Sequence, residues 1–120
     1  MRCLIVDDNR AFLEAARVLL EREGLIVLGV ARSGAEALRQ AQAERPDVVL
    51  VDVALGDESG FDVARRLADN DRVGAVSVIM TSTRAEVDLG ELVAESRARG
   101  FLPKSELSAQ AIRRVLDSGS

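Results

Sequence analysis

Pro46-Asp47-Val48-Val49-Leu50-Val51-Asp52 is the stretch that decides how this chain folds. Four consecutive aliphatic residues, three of them β-branched, lead straight into a carboxylate. An unbroken apolar run this short suits a strand buried on both faces, as in a parallel sheet covered by helices. Its far end is where the backbone leaves the sheet, so Asp52 is expected at a rim.

The flanking sequence repeats the same unit. Leu4-Ile5-Val6 reads as a first strand that ends in Asp7-Asp8. Asn9 is placed to cap a helix, with Phe12, Ala15, Ala16, Leu19 and Leu20 at helical spacing as its inner stripe. Gly24 suits the left-handed cap that closes such a helix. A second strand is expected over 25–30. Ser33 and Glu36 form a capping-box pattern for a helix with Ala37, Leu38 and Ala41 inward, stopping before Pro46. After Asp52 a loop over 53–58 leads to Ser59 as a cap, and Phe61, Ala64, Leu67 and Ala68 make the next stripe. A fourth strand is expected over 75–80, ending at Thr81-Ser82-Thr83. Leu89, Leu92, Val93 and Ser96 mark a fourth helix, weakened by Gly90. Gly100-Phe101-Leu102 is a short fifth strand before Pro103-Lys104. Ser108 caps a last helix with Ile112, Val115 and Leu116 inward, and residues 117–120 read as a frayed end.

Strand then helix, five times over without a linker, implies an α/β domain spanning residues 1–120. Its sheet is parallel, with helices on both faces. Ligands of such sheets bind beyond the carboxyl ends of the strands. Asp7, Asp8, Asp52, Thr81, Ser82 and Lys104 all follow strands, so all are expected along that one edge.

Composition removes many other functions. The net charge of −4 gives no basic footprint for nucleic acid. Tryptophan and tyrosine are absent, so bases have no stacking platform. Histidine is absent too, which excludes Ser/His and Cys/His catalysis, histidine-ligated metals and a phosphohistidine within the chain. The single cysteine, Cys3, forms no internal disulfide and reads as buried filler. No apolar run approaches the ~20 residues that cross a bilayer, and the N-terminus lacks a signal-peptide pattern, so a cytoplasmic location is expected. Arg65-Arg66 and Arg113-Arg114 read as solvated helix faces.

Gathering acids at one edge is costly. Two like charges ~4 Å apart repel by about 4 kcal/mol at an effective dielectric of ~20. A divalent cation is the usual compensation, and an all-oxygen set suits Mg²⁺ or Mn²⁺ better than zinc. With a cation on one side and Lys104 on the other, the ligand that best fills the gap is a phosphoryl group. Thr81 adds a hydroxyl. Asp52 then either holds metal only or acts as the nucleophile that takes the phosphoryl group, and its central place favours the second.

Asp7-Asp8, Asp52, Thr81 and Lys104, in this order on five strand–helix units, resemble the receiver (CheY-like) domain of two-component response regulators. Gly60-Phe61 and the run from Gly100 to Leu107 strengthen the likeness, the latter most similar to LuxR/NarL-type receivers. The resemblance implies a flavodoxin-like, doubly wound three-layer sandwich with strand order 2-1-3-4-5. It implies phosphorylation of Asp52 by a sensor histidine kinase or phosphotransfer protein. Mg²⁺ is then held by Asp8, Asp52 and the backbone carbonyl of Ala54, with Asp7 acting mostly through water. Thr81 and Lys104 contact the phosphoryl group, and Phe101 matches the switch aromatic that follows Thr81. A homodimer through the fourth helix, fifth strand and fifth helix is a family possibility, as is a LuxR/NarL-type output domain beyond this chain. The implied protein catalyses only its own phosphorylation and dephosphorylation.

Two positions depart from the common pattern. Gly56 stands where many receivers have proline, which predicts a looser loop. Ser105 replaces a proline after Lys104, so no cis peptide is expected there. Three rivals compete with this reading. A receiver-like interaction module that is never phosphorylated tends to lack one of the site residues. An aspartyl phosphatase would place a second acid at position 54. Flavin binding would call for tryptophan or tyrosine.

Overall fold

The computed structural model describes residues 1–83 and 90–118. In chain order the elements are β1 (Arg2–Val6), α1 (Arg10–Arg22), β2 (Ile26–Ala31), α2 (Gly34–Glu44), β3 (Val48–Asp52), β4 (Ala54–Leu55) and β5 (Glu58–Ser59). Then follow α3 (Gly60–Asp69), β6 (Ser77–Ser82), α4 (Gly90–Glu95), β7 (Gly100–Pro103), a 3₁₀ turn (Lys104–Glu106) and α5 (Ala109–Ser118). Five strands form one parallel sheet in the order β2-β1-β3-β6-β7. This is the flavodoxin-like order 2-1-3-4-5 once the small hairpin β4–β5 is set aside.

Every residue of β3 is buried, which is why its apolar run is unbroken. The residues alternate between the two faces of the sheet. Val49 and Val51 join Leu4, Val6, Val78, Met80 and Phe101 in a core closed by residues of α2, α3 and α4. Val48 and Leu50 join Cys3, Ile5, Ile79 and Leu102 in a second core, closed by α1 and α5. Each covering helix buries its stripe, and at ~25 cal/mol per Å² of apolar surface this is the main term holding the layers together.

Three helix starts and one helix end follow the chemistry read from the sequence. The Asn9 side chain accepts from Phe12 N–H at 3.1 Å, and Ser33 Oγ accepts from Glu36 N–H at 3.2 Å. Ser108 Oγ accepts from Ala111 N–H at 2.9 Å. Gly24 takes φ +93° just past α1, as its left-handed cap requires. No cis peptide is present among the described residues, Lys104–Ser105 included.

Several expectations are corrected. The α1 stripe is Leu13, Ala16 and Leu20, with Phe12 half-buried, whereas Ala15 and Leu19 face outward. With apolar residues on most sides of α1, helical spacing alone fits two stripes equally well. The segment 53–58 contains the hairpin β4–β5 rather than a plain loop. Strands β2 and β6 lie one and two residues later than expected, so Thr81 and Ser82 belong to β6 itself. Ser59 is the N-terminal neighbour of α3 but makes no side-chain cap bond. Asp117 and Ser118 continue α5 rather than fraying. Leu89 and residues 119–120 lie outside the described residues. Among the described residues no helix is long and apolar enough to cross a membrane.

Candidate functional site

The site grows out of the core facing α1 and α5. Alternation carries each column of that core to the carboxyl edge of the sheet, within the last residues of β3 and β6 and one step past β1 and β7. Cys3 and Ile5 lead to Asp7, Val48 and Leu50 to Asp52, Ile79 to Thr81, and Leu102 to Lys104. The register sets Asp52 beside Thr81 and Thr81 beside Leu102. Strand order reverses between β1 and β3, and the acids that follow these two strands flank that point.

The geometry is centred on one ammonium. Lys104 Nζ lies 2.6 Å from Asp7 Oδ2 and 3.3 Å from Asp52 Oδ2. The Lys104 side chain is 13 % exposed and that of Asp7 only 1 %. Asp7 Oδ1 accepts from Asn9 N–H at 2.8 Å. Asp7 Oδ2 is enclosed without an aligned hydrogen-bond donor, and its charge is met by the ion pair with Lys104.

Asp8 is exposed, yet Asp7, Asp8 and Asp52 each present an oxygen within 4.8 Å of the others. Three carboxylates against one ammonium leave the pocket in negative excess. Burial and then the neighbouring Asp7 charge push the Asp52 carboxyl above the ordinary carboxylate range, with Lys104 opposing them. Burial pulls the Lys104 ammonium down, but its close contact with Asp7 and the charges of Asp52 and Asp7 more than offset this and hold it above the usual lysine range. A second cation is what such a cluster calls for. An all-oxygen donor set with one exposed member fits a hard divalent ion.

The backbone after Asp52 is held closely. Val53 N–H donates to Thr81 O at 3.0 Å, and Gly60 N–H donates to Val53 O at 2.9 Å. A Cβ on Gly60 would stand 1.8 Å from the Asp52 carbonyl oxygen, so only glycine fits there. Ala54 N–H points at Asp52 Oδ1 from 3.5 Å. Gly56 adopts φ +61° and donates its N–H to Asp8 Oδ2 at 2.9 Å. Proline has neither that φ nor that donor, so the departure at position 56 supplies a tether rather than mere looseness. Glu58 anchors the other side of the hairpin: it accepts from Gly34 N–H at the start of α2 (2.8 Å) and pairs with Arg66 at 3.1 Å.

A cavity of about 450 Å³ opens above this floor, reaching Asp52 and Lys104, with Ala54, Phe61 and Leu92 among its apolar walls. Ser82 and Thr83 line its strand side, whereas Thr81 is 1 % exposed beside Asp52. Phe101 lies inside the core near Val93, 7 % exposed, on the sheet face opposite the acids. Two participants were not singled out from the sequence. Phe12, read there as core, places its ring centroid 4.4 Å from Lys104 Nζ. Glu58 gave no sequence signal, because its partner Gly34 is 24 residues away. Arg65 and Arg66 are ion-paired with Asp62 and Glu58 across exposed surface, in keeping with solvated faces.

Residues 3–116 match the family model described as the response regulator receiver domain. The chain is 31 % identical to the polar-differentiation response regulator DivK of Brucella anthropi, covering 84 % of this chain and 81 % of DivK. It is 36 % identical to the transcriptional activator protein ExaE of Pseudomonas putida, covering 97 % of this chain and 55 % of ExaE. The solved receiver domain of the putative response regulator NarL from Mycobacterium tuberculosis superposes with TM-score 0.82 at 28 % identity, over 98 % of this chain and 94 % of that one. The chain belongs to the receiver domains of response regulators and thus to two-component phosphorelay signalling. It spans most of DivK but about half the length of the transcriptional regulators it matches.

Proposed function

We propose that Asp52 is the phosphoacceptor of this receiver and that its donor is the phosphohistidine of a sensor kinase or phosphotransfer protein. The observation that carries this is the Lys104 ammonium shared between Asp7 and Asp52, at 2.6 and 3.3 Å, beside a third carboxylate at the rim of the sheet. Asp7, Asp8, Asp52 and the Ala54 carbonyl would hold Mg²⁺, or Mn²⁺ in its place. The bound ion supplies neutralisation of charge on the phosphoryl oxygens.

An Asp52 carboxylate oxygen attacks phosphorus in line with the bond to the donor imidazole. The new P–O bond forms as the P–N bond breaks. The bonding pair returns to the ring nitrogen, which takes a proton from solvent. Lys104 is already within reach of Asp52 and transfers its attention to a phosphoryl oxygen. The Thr81 hydroxyl, in register with Asp52, donates to another. Burial first, and then the neighbouring Asp7 charge, raise the affinity of Asp52 for protons, and a cation held by these carboxylates would favour the ionised form that attacks.

The protein acts catalytically on itself alone, by phosphorylation and dephosphorylation. Its receiver unit spans residues 1–120, it works in the cytoplasm, and it pairs with a second copy through the face of α4, β7 and α5. The output is either direct or through a LuxR/NarL-type transcription regulator of which this is the receiver. Acetyl phosphate with Mg²⁺ tests the core of the reading by intact mass. One added phosphoryl group, abolished by chelator, is expected. Folded protein that gains no mass from acetyl phosphate or from a phosphorylated kinase would support the rival reading, an unphosphorylated interaction module.

A further inference from the structure

Phe12 stands in the first turn of α1, with the Lys104 ammonium 4.4 Å from its ring centroid. A cation within ~6 Å of a ring centroid is attracted by the negative π face. The backbone that carries the ring is anchored by hydrogen bonds that begin at the site. Asn9 N–H donates to Asp7 Oδ1 at 2.8 Å, and Phe12 N–H donates to the Asn9 side chain at 3.1 Å. The start of α1, from which the ring projects, is therefore tied to Asp7.

Three neighbours thus share the ammonium, and they respond differently to a metal. Asp7 and Asp52 offer oxygens to a divalent ion. Once such an ion takes up their charge, their hold on Lys104 weakens. The ring ligates no hard cation, so its attraction persists. An aliphatic residue of similar size at position 12 would fill the space but carry no quadrupole.

We propose that Phe12 is a positioning residue that keeps the Lys104 ammonium at the mouth of the site once a divalent cation has claimed Asp7 and Asp52. The kinetic consequence rests on Asp52 being the phosphoacceptor; the geometric one does not.

Replacing Phe12 site-specifically with mono-, di- and pentafluorinated phenylalanine keeps its shape while progressively erasing the negative ring face. Two readouts apply. In NMR spectra the Lys104 ε-methylene protons are shifted upfield by the ring; the shift persists at saturating Mg²⁺ and is lost in Phe12→Leu. In kinetics at saturating Mg²⁺, phosphoryl uptake from acetyl phosphate slows in step with fluorination. It reaches about fivefold for the pentafluoro ring, or about 1 kcal/mol at ~1.4 kcal/mol per decade. Phe12→Tyr stays near wild type, and melting temperature and Mg²⁺ affinity hold steady across the series. A ring-current shift that collapses on adding Mg²⁺ overturns the proposal. So does a flat rate across a series that still takes phosphoryl. If even wild type takes none, the phosphoacceptor reading fails, and the NMR measurement still decides the role of Phe12.

Discussion

Lys104→Met is the most informative single change, because it removes the only cation within ion-pair distance of Asp7 and Asp52 among the described residues. At an effective dielectric of ~20, the attractions at 2.6 and 3.3 Å are about 6 and about 5 kcal/mol. Desolvation of three groups offsets much of this, and the repulsion between acids no more than 4.8 Å apart, about 3 kcal/mol or more, is then unscreened. Removing one partner of a buried ion pair typically costs 3–5 kcal/mol. We expect a loss of about 3 kcal/mol in chelator at pH 7, measured by urea unfolding with far-UV circular dichroism. Two conditions should shrink it. Mg²⁺ replaces the missing positive charge. Acid does the same by protonation: the Asp52 carboxyl already titrates above its ordinary range, and without Lys104 it titrates higher still. A group raised in the folded state favours folding at low pH and loses that contribution as pH rises through its folded value. The deficit of the variant therefore grows from acid toward neutral pH. A variant within 1 kcal/mol of wild type in chelator at neutral pH, or a deficit indifferent to both Mg²⁺ and acid, would refute the electrostatic account of the site.

Other changes probe the surrounding frame. Gly60→Ala drives a Cβ to 1.8 Å from the Asp52 carbonyl oxygen and should cost at least ~2 kcal/mol; an unchanged unfolding midpoint would contradict the packing. Gly56→Pro removes the donor to Asp8 Oδ2 at 2.9 Å, and Mg²⁺ affinity by calorimetry should fall about tenfold, the value of one hydrogen bond to a charged group. Cys3 is buried and its thiol pushed up to about 12 by burial; iodoacetamide should label it only in the unfolded chain, and prompt labelling of native protein would disprove that burial.

The order of elements was legible because β3 and β1 are continuous apolar runs that end in acids, and burial on both faces leaves no other pattern. The site was legible in outline for the same reason: residues that follow parallel strands share an edge. A sharper signal was present in parity. Asp7, Asp52 and Thr81 each stand two residues beyond a core residue of the α1/α5 face, as Lys104 does after Leu102, so they share a side as well as an edge. The α1 stripe was not legible, since Ala11, Phe12, Leu13, Ala15, Ala16, Val18, Leu19 and Leu20 surround the helix axis. Only packing selects Leu13 over Leu19, and Val18 stays 51 % exposed. Nor could spacing reveal contacts such as Gly56 with Asp8 or Glu58 with Gly34, which depend on where a hairpin folds back in space.

The acceptor role of Asp52 is tested most directly by trapping. The protein is treated with acetyl phosphate and Mg²⁺, reduced with borohydride and digested for peptide mass analysis. An aspartyl phosphate is reduced to homoserine, so the account predicts homoserine at position 52 alone, and none in Asp52→Asn. Homoserine at Asp7, Asp8 or Asp57 instead, or a phosphoryl adduct that survives in Asp52→Asn, would contradict it.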